Sequence, residues 1–335
     1  MRGPAISAAV IGTLLLFTLF AAWWNSRSVP PAKHVGRCHN GSATNETFAQ
    51  QARGHNNSDA FVTYAYGNIT DARVSLIRFW KYQLRDVPNV DYVLLVQPQQ
   101  KDAWTKALLA VPDLHIVGID AKPPVHCTDT RSPDKYGTDA YFAGSYLALG
   151  AFSLTEYVRL AVVDTDVTVV NASVFHLLGN DTATRVAGTL DYPPFDCPGN
   201  GYTQMGIFLA RPDAHFLDDY DEFVATSKPR CGLAVQDSLN GYLRHKDANR
   251  LLLCLPKTFN CRISHAPDSS ASSVPCTSRG VYFIHFAGAV KPLSMTRDDI
   301  ASIPADRSDL KEAIYNYRDA FGRWENSTAR ARRYF

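Results

Sequence analysis

Two aspartates interrupt an apolar run, Leu160-Ala161-Val162-Val163-Asp164-Thr165-Asp166-Val167-Thr168-Val169-Val170, that otherwise reads as one buried strand. An ionised carboxylate buried without compensation costs several kcal/mol even after relaxation. Residues i and i+2 of a strand share a face, so a cation shared by Asp164 and Asp166 is the natural compensation. Oxygen ligation of this kind suits Mg2+ or Mn2+ rather than a structural zinc. The plain alternative is a strand that ends at Asp164, with both side chains in a solvated turn.

A second segment points the same way. Val281-Tyr282-Phe283-Ile284-His285-Phe286-Ala287-Gly288-Ala289-Val290-Lys291-Pro292 is another apolar strand, and it runs into a His, a Gly, a Lys and a Pro. A neutral imidazole is a metal ligand, a glycine lets backbone approach a phosphate closely, and a lysine offers that phosphate a compact positive charge. Alone, the segment reads equally as a strand with a satisfied core histidine followed by a turn.

Together the two segments resemble the glycogenin-type family 8 of nucleotide-sugar glycosyltransferases, which has an Asp-x-Asp after a strand and a late His-x-x-Gly-x-x-Lys-Pro. The likeness is ordered along residues 59 to 293. Ala60-Phe61-Val62-Thr63 resembles the family's first strand, and Tyr92-Val93-Leu94-Leu95-Val96 its second. Ser153-Leu154-Thr155-Glu156-Tyr157 precedes the Asp-x-Asp. Gly201-Tyr202-Thr203-Gln204-Met205-Gly206 opens the strand under the donor sugar, and Gln236-Asp237-Ser238-Leu239-Asn240 begins the acceptor-side helix.

The resemblance implies a GT-A type α/β fold and a retaining, metal-dependent transferase using a UDP-sugar, by default UDP-glucose, with Mn2+ or Mg2+. It implies Asp164, Asp166 and His285 as metal ligands. Thr63, Tyr64, Tyr66, Thr165, Gly288 and Lys291 would hold nucleotide and diphosphate, and Gln204 and Gln236 sugar hydroxyls. The chain departs from the family at Ala148, where a diphosphate-facing lysine is usual, at Gln204-Met205 in place of Asn-Ser, and at Val235 in place of an acid. Leu293 replaces a frequent Trp. Asp237 or Asp191 could stand in for the missing acid, and Arg131 or Lys135 for the lysine.

Residues 5 to 24 carry no charge and are long enough to cross about 30 Å of hydrocarbon. They read as an uncleaved signal anchor, with a cleaved signal peptide as the alternative. Seven Asn-x-Ser/Thr sequons begin at Asn40, Asn45, Asn56, Asn68, Asn171, Asn180 and Asn326. Composition alone gives roughly two, so most of the chain is expected in a lumen, as a single-pass type II protein of the Golgi membrane. Asn171, close behind the Asp-x-Asp, is expected to be too constrained for use.

All seven cysteines follow the anchor, and none forms a Cys-x-x-Cys pair that would suggest zinc. Disulfides are expected among the last six, leaving Cys38 free or able to bridge a homodimer. The organisation expected is an anchor over 1–24, a flexible stem over 25–58, a catalytic α/β domain over 59–295, and a C-terminal extension over 296–335 of two short helices and a basic tail. Within the domain, apolar spacing predicts helices over 71–85, capped by Thr70 or Asp71, and over 140–152. The strand and helix alternation predicts a mostly parallel sheet with its ligand at the strands' carboxyl ends. A net charge of only +2 and a short basic cluster argue against nucleic acid. The expected partners are a nucleotide-sugar donor and a glycan, glycoprotein or glycolipid acceptor.

Overall fold

The computed structural model describes residues 57–120, 144–180, 182–190, 203–229, 235–246, 251–263, 276, 280–286, 291–303, 305 and 308–331. The 5–24 segment, Asp191, Gly288, Arg131 and Lys135 lie outside them. Among the described residues, no helix is long and apolar enough to cross a membrane.

Strands β1 (Asp59–Ala65), β2 (Asp91–Val96), β3 (Leu114–Gly118) and β4 (Arg159–Val163) are mutually parallel. With β6 (Val186–Gly188), β7 (Ile207–Ala210) and β8 (Leu252–Cys254) they form a seven-stranded sheet of order β3-β2-β1-β4-β7-β6-β8. Only β7 runs against its neighbours. A smaller sheet of order β5-β10-β9 joins β5 (Val167–Val169), β9 (Asn260–Ile263) and β10 (Phe283–Phe286).

Side chains alternate across the large sheet, as the period of two requires. Ala60, Val62, Leu160, Val162, Phe208 and Ala210 face one core, and Phe61, Ala161, Val163, Ile207 and Leu209 face another. Helices α3 (Phe216–Ser227) and α4 (Val235–Lys246) cover the first face.

Helix α1 (Asp71–Gln83) starts where the sequence places it, because the Thr70 hydroxyl accepts the Arg73 N–H. Its buried residues Val74, Ile77 and Trp80 fall at helical spacing, and Leu84 follows just past the end. Helix α2 (Lys101–Ala107) buries Trp104 beside β2.

Three expectations need correction. The segment before β4 is a 3-10 helix over Gly144–Ser153, not an α-helix. Tyr146 to Phe152 are all buried, so no polar face sets the winding, and packing against β1 and β2 decides it. The run from Leu160 to Val170 is two strands, not one. The chain leaves the large sheet after Val163, turns through Asp164–Asp166, and enters the small sheet at Val167. At the C-terminus, α5 (Arg297–Ser302) is short and closed by a Thr296–Asp299 capping box, but α6 (Ser308–Ala331) runs for 24 residues. It is amphipathic, and Tyr317, Phe321 and Trp324 seat their rings around Phe79 of α1.

Candidate metal centre

The strand order reverses between β1 and β4, and the crevice at their carboxyl ends is where an open α/β sheet offers a ligand site. At the amino-terminal end, Arg159 grips Asp59 through two 2.7 Å bonds and ties the pair of strands together. At the carboxyl end, Tyr64 and Asp164 meet.

The turn that carries the two aspartates is pinned at both ends. Asp164 N–H donates to Gly206 O at 2.8 Å, and Phe286 N–H donates to Asp166 O at 3.1 Å. The turn therefore bridges the large sheet to the small one, and the carboxylates converge because of that seam, not because they share a strand face. His285 reaches them from β10, paired with Val167. Its Nε2 lies 3.6 Å from Asp166 Oδ1 and 3.9 Å from Asp164 Oδ2. One ligand atom from each of Asp164, Asp166 and His285 falls within 4.8 Å of the others.

The second oxygen of each carboxylate is already engaged. The Tyr64 hydroxyl donates to Asp164 Oδ1. Lys291 Nζ donates to Asp166 Oδ2 and to Phe286 O, the latter at 3.0 Å. The two remaining carboxylate oxygens and the imidazole nitrogen form an oxygen-rich triangle, which fits Mn2+ or Mg2+. Burial, and then the neighbouring Asp166 charge, push the Asp164 carboxyl up to about 8. Burial and Asp164 hold the Tyr64 hydroxyl well above its ordinary value, so it stays a donor. The close approach requires a glycine at 206. A β-carbon there would lie 2.9 Å from His285 Nδ1 and 3.0 Å from Asp164 Oδ2, and would collide with the imidazole ring.

The other expected residues are distributed as follows. Thr165 is half-buried within the turn. Thr63 is fully buried in β1 and its Oγ1 meets no partner, which does not suit a residue facing a nucleotide. Tyr66 is half-buried, with its ring against the α-carbon of Gly144 and the Arg73 guanidinium 5.8 Å from its centroid. Gln236 Oε1 accepts the Met205 N–H at 3.2 Å, next to Gly206. Asp237 sits half-buried in the first turn of α4, where its charge acts on Arg244 of the same helix.

Gln204 differs from its expected role. It is buried, and its Oε1 accepts both the Gly206 N–H at 2.9 Å and Asn260 Nδ2 at 2.7 Å. Its Nε2 lies 3.2 Å from His285 Nδ1. The amide supports the imidazole instead of presenting itself to a sugar.

Two supporting residues were not anticipated. Asn260 on β9 holds Gln204. Asn240 grips Thr203 by both backbone groups, accepting its N–H at 2.7 Å and donating to its carbonyl at 2.8 Å, and so fastens α4 to the strand entering the site. The signal for Asn240 was available, since it follows Gln236 by four residues and falls on the buried stripe of a helix.

Three of the four departures noted in the sequence share a fate. Ala148, Met205 and Val235 are all buried in one apolar cluster with Tyr146, Leu239 and Phe208. Leu293, by contrast, is 40% exposed.

No protein-family model and no curated protein matches this chain. Among solved structures, an active-site mutant of LgtC is similar with a TM-score of 0.48 and 15% identity, over 76% of this chain and 95% of that one. The WbbM bifunctional glycosyltransferase is similar with a TM-score of 0.45 and 16% identity, over 82% of this chain and 53% of that one. The glycosyltransferase GlyE of Streptococcus pneumoniae gives a TM-score of 0.46 and 13% identity, over 81% and 64%.

Proposed function

We propose that this chain is a metal-dependent glycosyltransferase of GT-A type. It moves a hexose or pentose from a UDP-sugar, by default UDP-glucose, to a glycan, glycoprotein or glycolipid. The observation that carries the reading is the convergence of Asp164, Asp166 and His285 at the carboxyl ends of β1 and β4, with Lys291 alongside. Two carboxylates repel a diphosphate, so a site of this composition accepts one only with a divalent cation between them. When bound, Mn2+ or Mg2+ supplies Lewis-acid stabilisation of the charge that grows on the leaving diphosphate.

The protein's own residues then have distinct tasks. Asp164, Asp166 and His285 hold the cation. Tyr64 fixes Asp164 by its hydroxyl, and Lys291 fixes Asp166 while setting an ammonium beside the phosphate path. Tyr66 stands just past the end of β1, on the side given to the base, and Gln236 and Asp237 face the acceptor side from α4. The reaction expected is retaining, with the acceptor hydroxyl attacking on the face from which the diphosphate leaves and a departing phosphate oxygen taking its proton. An inverted product seen by NMR contradicts that course.

A lumenal setting in the Golgi, reached through an anchor over residues 5–24, belongs to the same proposal. The excess of sequons supports it, as does disulfide bonding of Cys254 and of the pair Cys261–Cys276, because such bonds persist in oxidising compartments. One observation favours a second reading. The apolar burial of Ala148, Met205 and Val235 fits a nucleotide-sugar or glycan-binding protein without turnover. Release of UDP from a panel of UDP-sugars in Mn2+ against EDTA, with Asp166→Ala alongside, separates them. Cation-dependent release lost in the variant supports the transferase, and binding without release supports the second reading.

A further inference from the structure

The hydrogen bonds around Gln204 have a direction. A backbone N–H can only donate, so the atom of Gln204 that meets Gly206 N–H at 2.9 Å is the carbonyl oxygen, and Asn260 Nδ2 meets the same oxygen at 2.7 Å. The nitrogen of the amide therefore faces His285 Nδ1 at 3.2 Å, and an amide nitrogen donates. Nδ1 is then the acceptor, and the single proton of a neutral imidazole sits on Nε2, the atom turned toward Asp164 and Asp166. A cation at Nε2 needs a lone pair there.

Moving the proton to Nδ1 sets an N–H against the Gln204 amide. Turning the amide over takes the acceptor away from Gly206 N–H and Asn260. The first arrangement sets two donors against each other, and the second takes from the Gly206 N–H and from Asn260 the acceptor they share.

We infer that Gln204 is a positioning residue that lowers the affinity of the cluster for a free divalent cation, so that the cation enters together with the nucleoside diphosphate. This rests on the metal-dependent transferase reading. Substrate phosphates add ligands to Asp164, Asp166 and His285, and that gain offsets the cost of freeing the Nε2 lone pair. The substitution that reverses the effect is Gln204→Glu. A carboxylate of the same shape accepts from Gly206 and Asn260 with one oxygen and from Nδ1–H with the other. That is the carboxylate–histidine–metal arrangement that strengthens a ligand.

The experiment uses the protein without nucleotide. Nitrogen NMR of metal-free wild type, with His285 assigned through His285→Asn, is expected to show the proton on Nε2, and in Gln204→Glu on Nδ1. Binding of Mn2+ alone is expected to tighten about tenfold or more in Gln204→Glu. A wild-type proton on Nδ1, or a variant that binds Mn2+ no more tightly, overturns the inference. Neither readout depends on turnover, so a protein that shows both but releases no UDP would sink the transferase reading alone. The wild-type spectrum also decides the matter if the variant does not fold.

A different observation assigns a modification site. The sequon asparagines among the described residues, Asn68, Asn171, Asn180 and Asn326, are all exposed. Asn171 is the one expected to be too constrained, yet it stands on an exposed turn just past β5, with its Oδ1 accepting the Ser173 N–H at 2.9 Å. β5 runs antiparallel to β10, which puts Asn171 at the end remote from His285 and roughly 15 Å along the chain from Asp166.

The geometry points to N-glycosylation of Asn171, within the lumenal reading. Its Nδ2 loses one proton and bonds to the anomeric carbon of an oligosaccharide carried on a lipid diphosphate, whose carbon–oxygen bond breaks as the lipid diphosphate leaves. Full-length protein from a secretory host, released by peptide N-glycosidase in heavy-oxygen water, is expected to yield a labelled aspartate at 171. Ser173→Ala is expected to lose one glycan and keep its UDP release. An unmodified Asn171 beside modified Asn68 or Asn326 overturns the site alone, and no modification at any sequon overturns it together with the lumenal reading.

Discussion

On the cation side of the crevice, the side chains that meet are polar and held by polar neighbours. Asp164 has Tyr64, Asp166 has Lys291, and His285 has Gln204, which in turn has Asn260. On the side formed by the 3-10 helix, the entry to β7 and the start of α4, the corresponding positions are Ala148, Met205 and Val235, packed into one core. The first side keeps charged groups near one another at a cost that Tyr64 and Lys291 partly offset. The second has replaced such groups with apolar burial. On the proposed reading, the contrast teaches that the groups given to cation and diphosphate are polar and mutually held, while the opposite side is apolar apart from Gln236 and the backbone it holds at Met205.

The largest effect should come from the cation side. Asp166→Ala removes a proposed ligand and the carboxylate partner of Lys291, and UDP release from the preferred donor should fall by about three powers of ten, measured by steady-state release assay. Next comes the reverse test on the apolar side. Val235→Asp buries an unpaired charge and should lower stability by about 3 kcal/mol or more in urea unfolding. If the variant unfolds normally and turns over faster, that side is polar in the working protein and the contrast breaks.

A smaller effect is expected for Tyr64→Phe, which keeps the ring and removes the donor to Asp164. Mn2+ binding in the presence of UDP should weaken about tenfold, by calorimetry. The last prediction is a slope. The Asp164 carboxyl lies at about 8 in the folded protein, against about 4 unfolded. A folded value above the unfolded one gives stability that is fully present below pH about 4 and is lost as pH rises through about 8. Metal-free protein should therefore melt at progressively lower temperature across that window, and Mn2+ with UDP should flatten the slope because the cation takes the proton's place.

Much of this was legible in the chain. Helix α1 and its Thr70 cap follow from side-chain spacing and from one hydroxyl, both local properties. The meeting of Asp164, Asp166 and His285 was also anticipated, but for an incomplete reason. A same-face argument within one strand predicts proximity of the aspartates, whereas the structure achieves it by a turn that passes from one sheet to another, a long-range event that no local pattern encodes. The same limit explains Gln204. Its type and position suggested a sugar contact, and its partners Gly206, Asn260 and His285 include two residues far away in sequence. The winding of 144–153 was misjudged because packing on both sides overrode helix propensity.

The account stands most directly on one calorimetric titration, UDP into the full-length protein with Mn2+ and again with EDTA. Saturable binding in Mn2+ that disappears in EDTA is the predicted result. Equal binding in both, or none in either, would contradict the assignment of Asp164, Asp166 and His285 as the cation-borne diphosphate site.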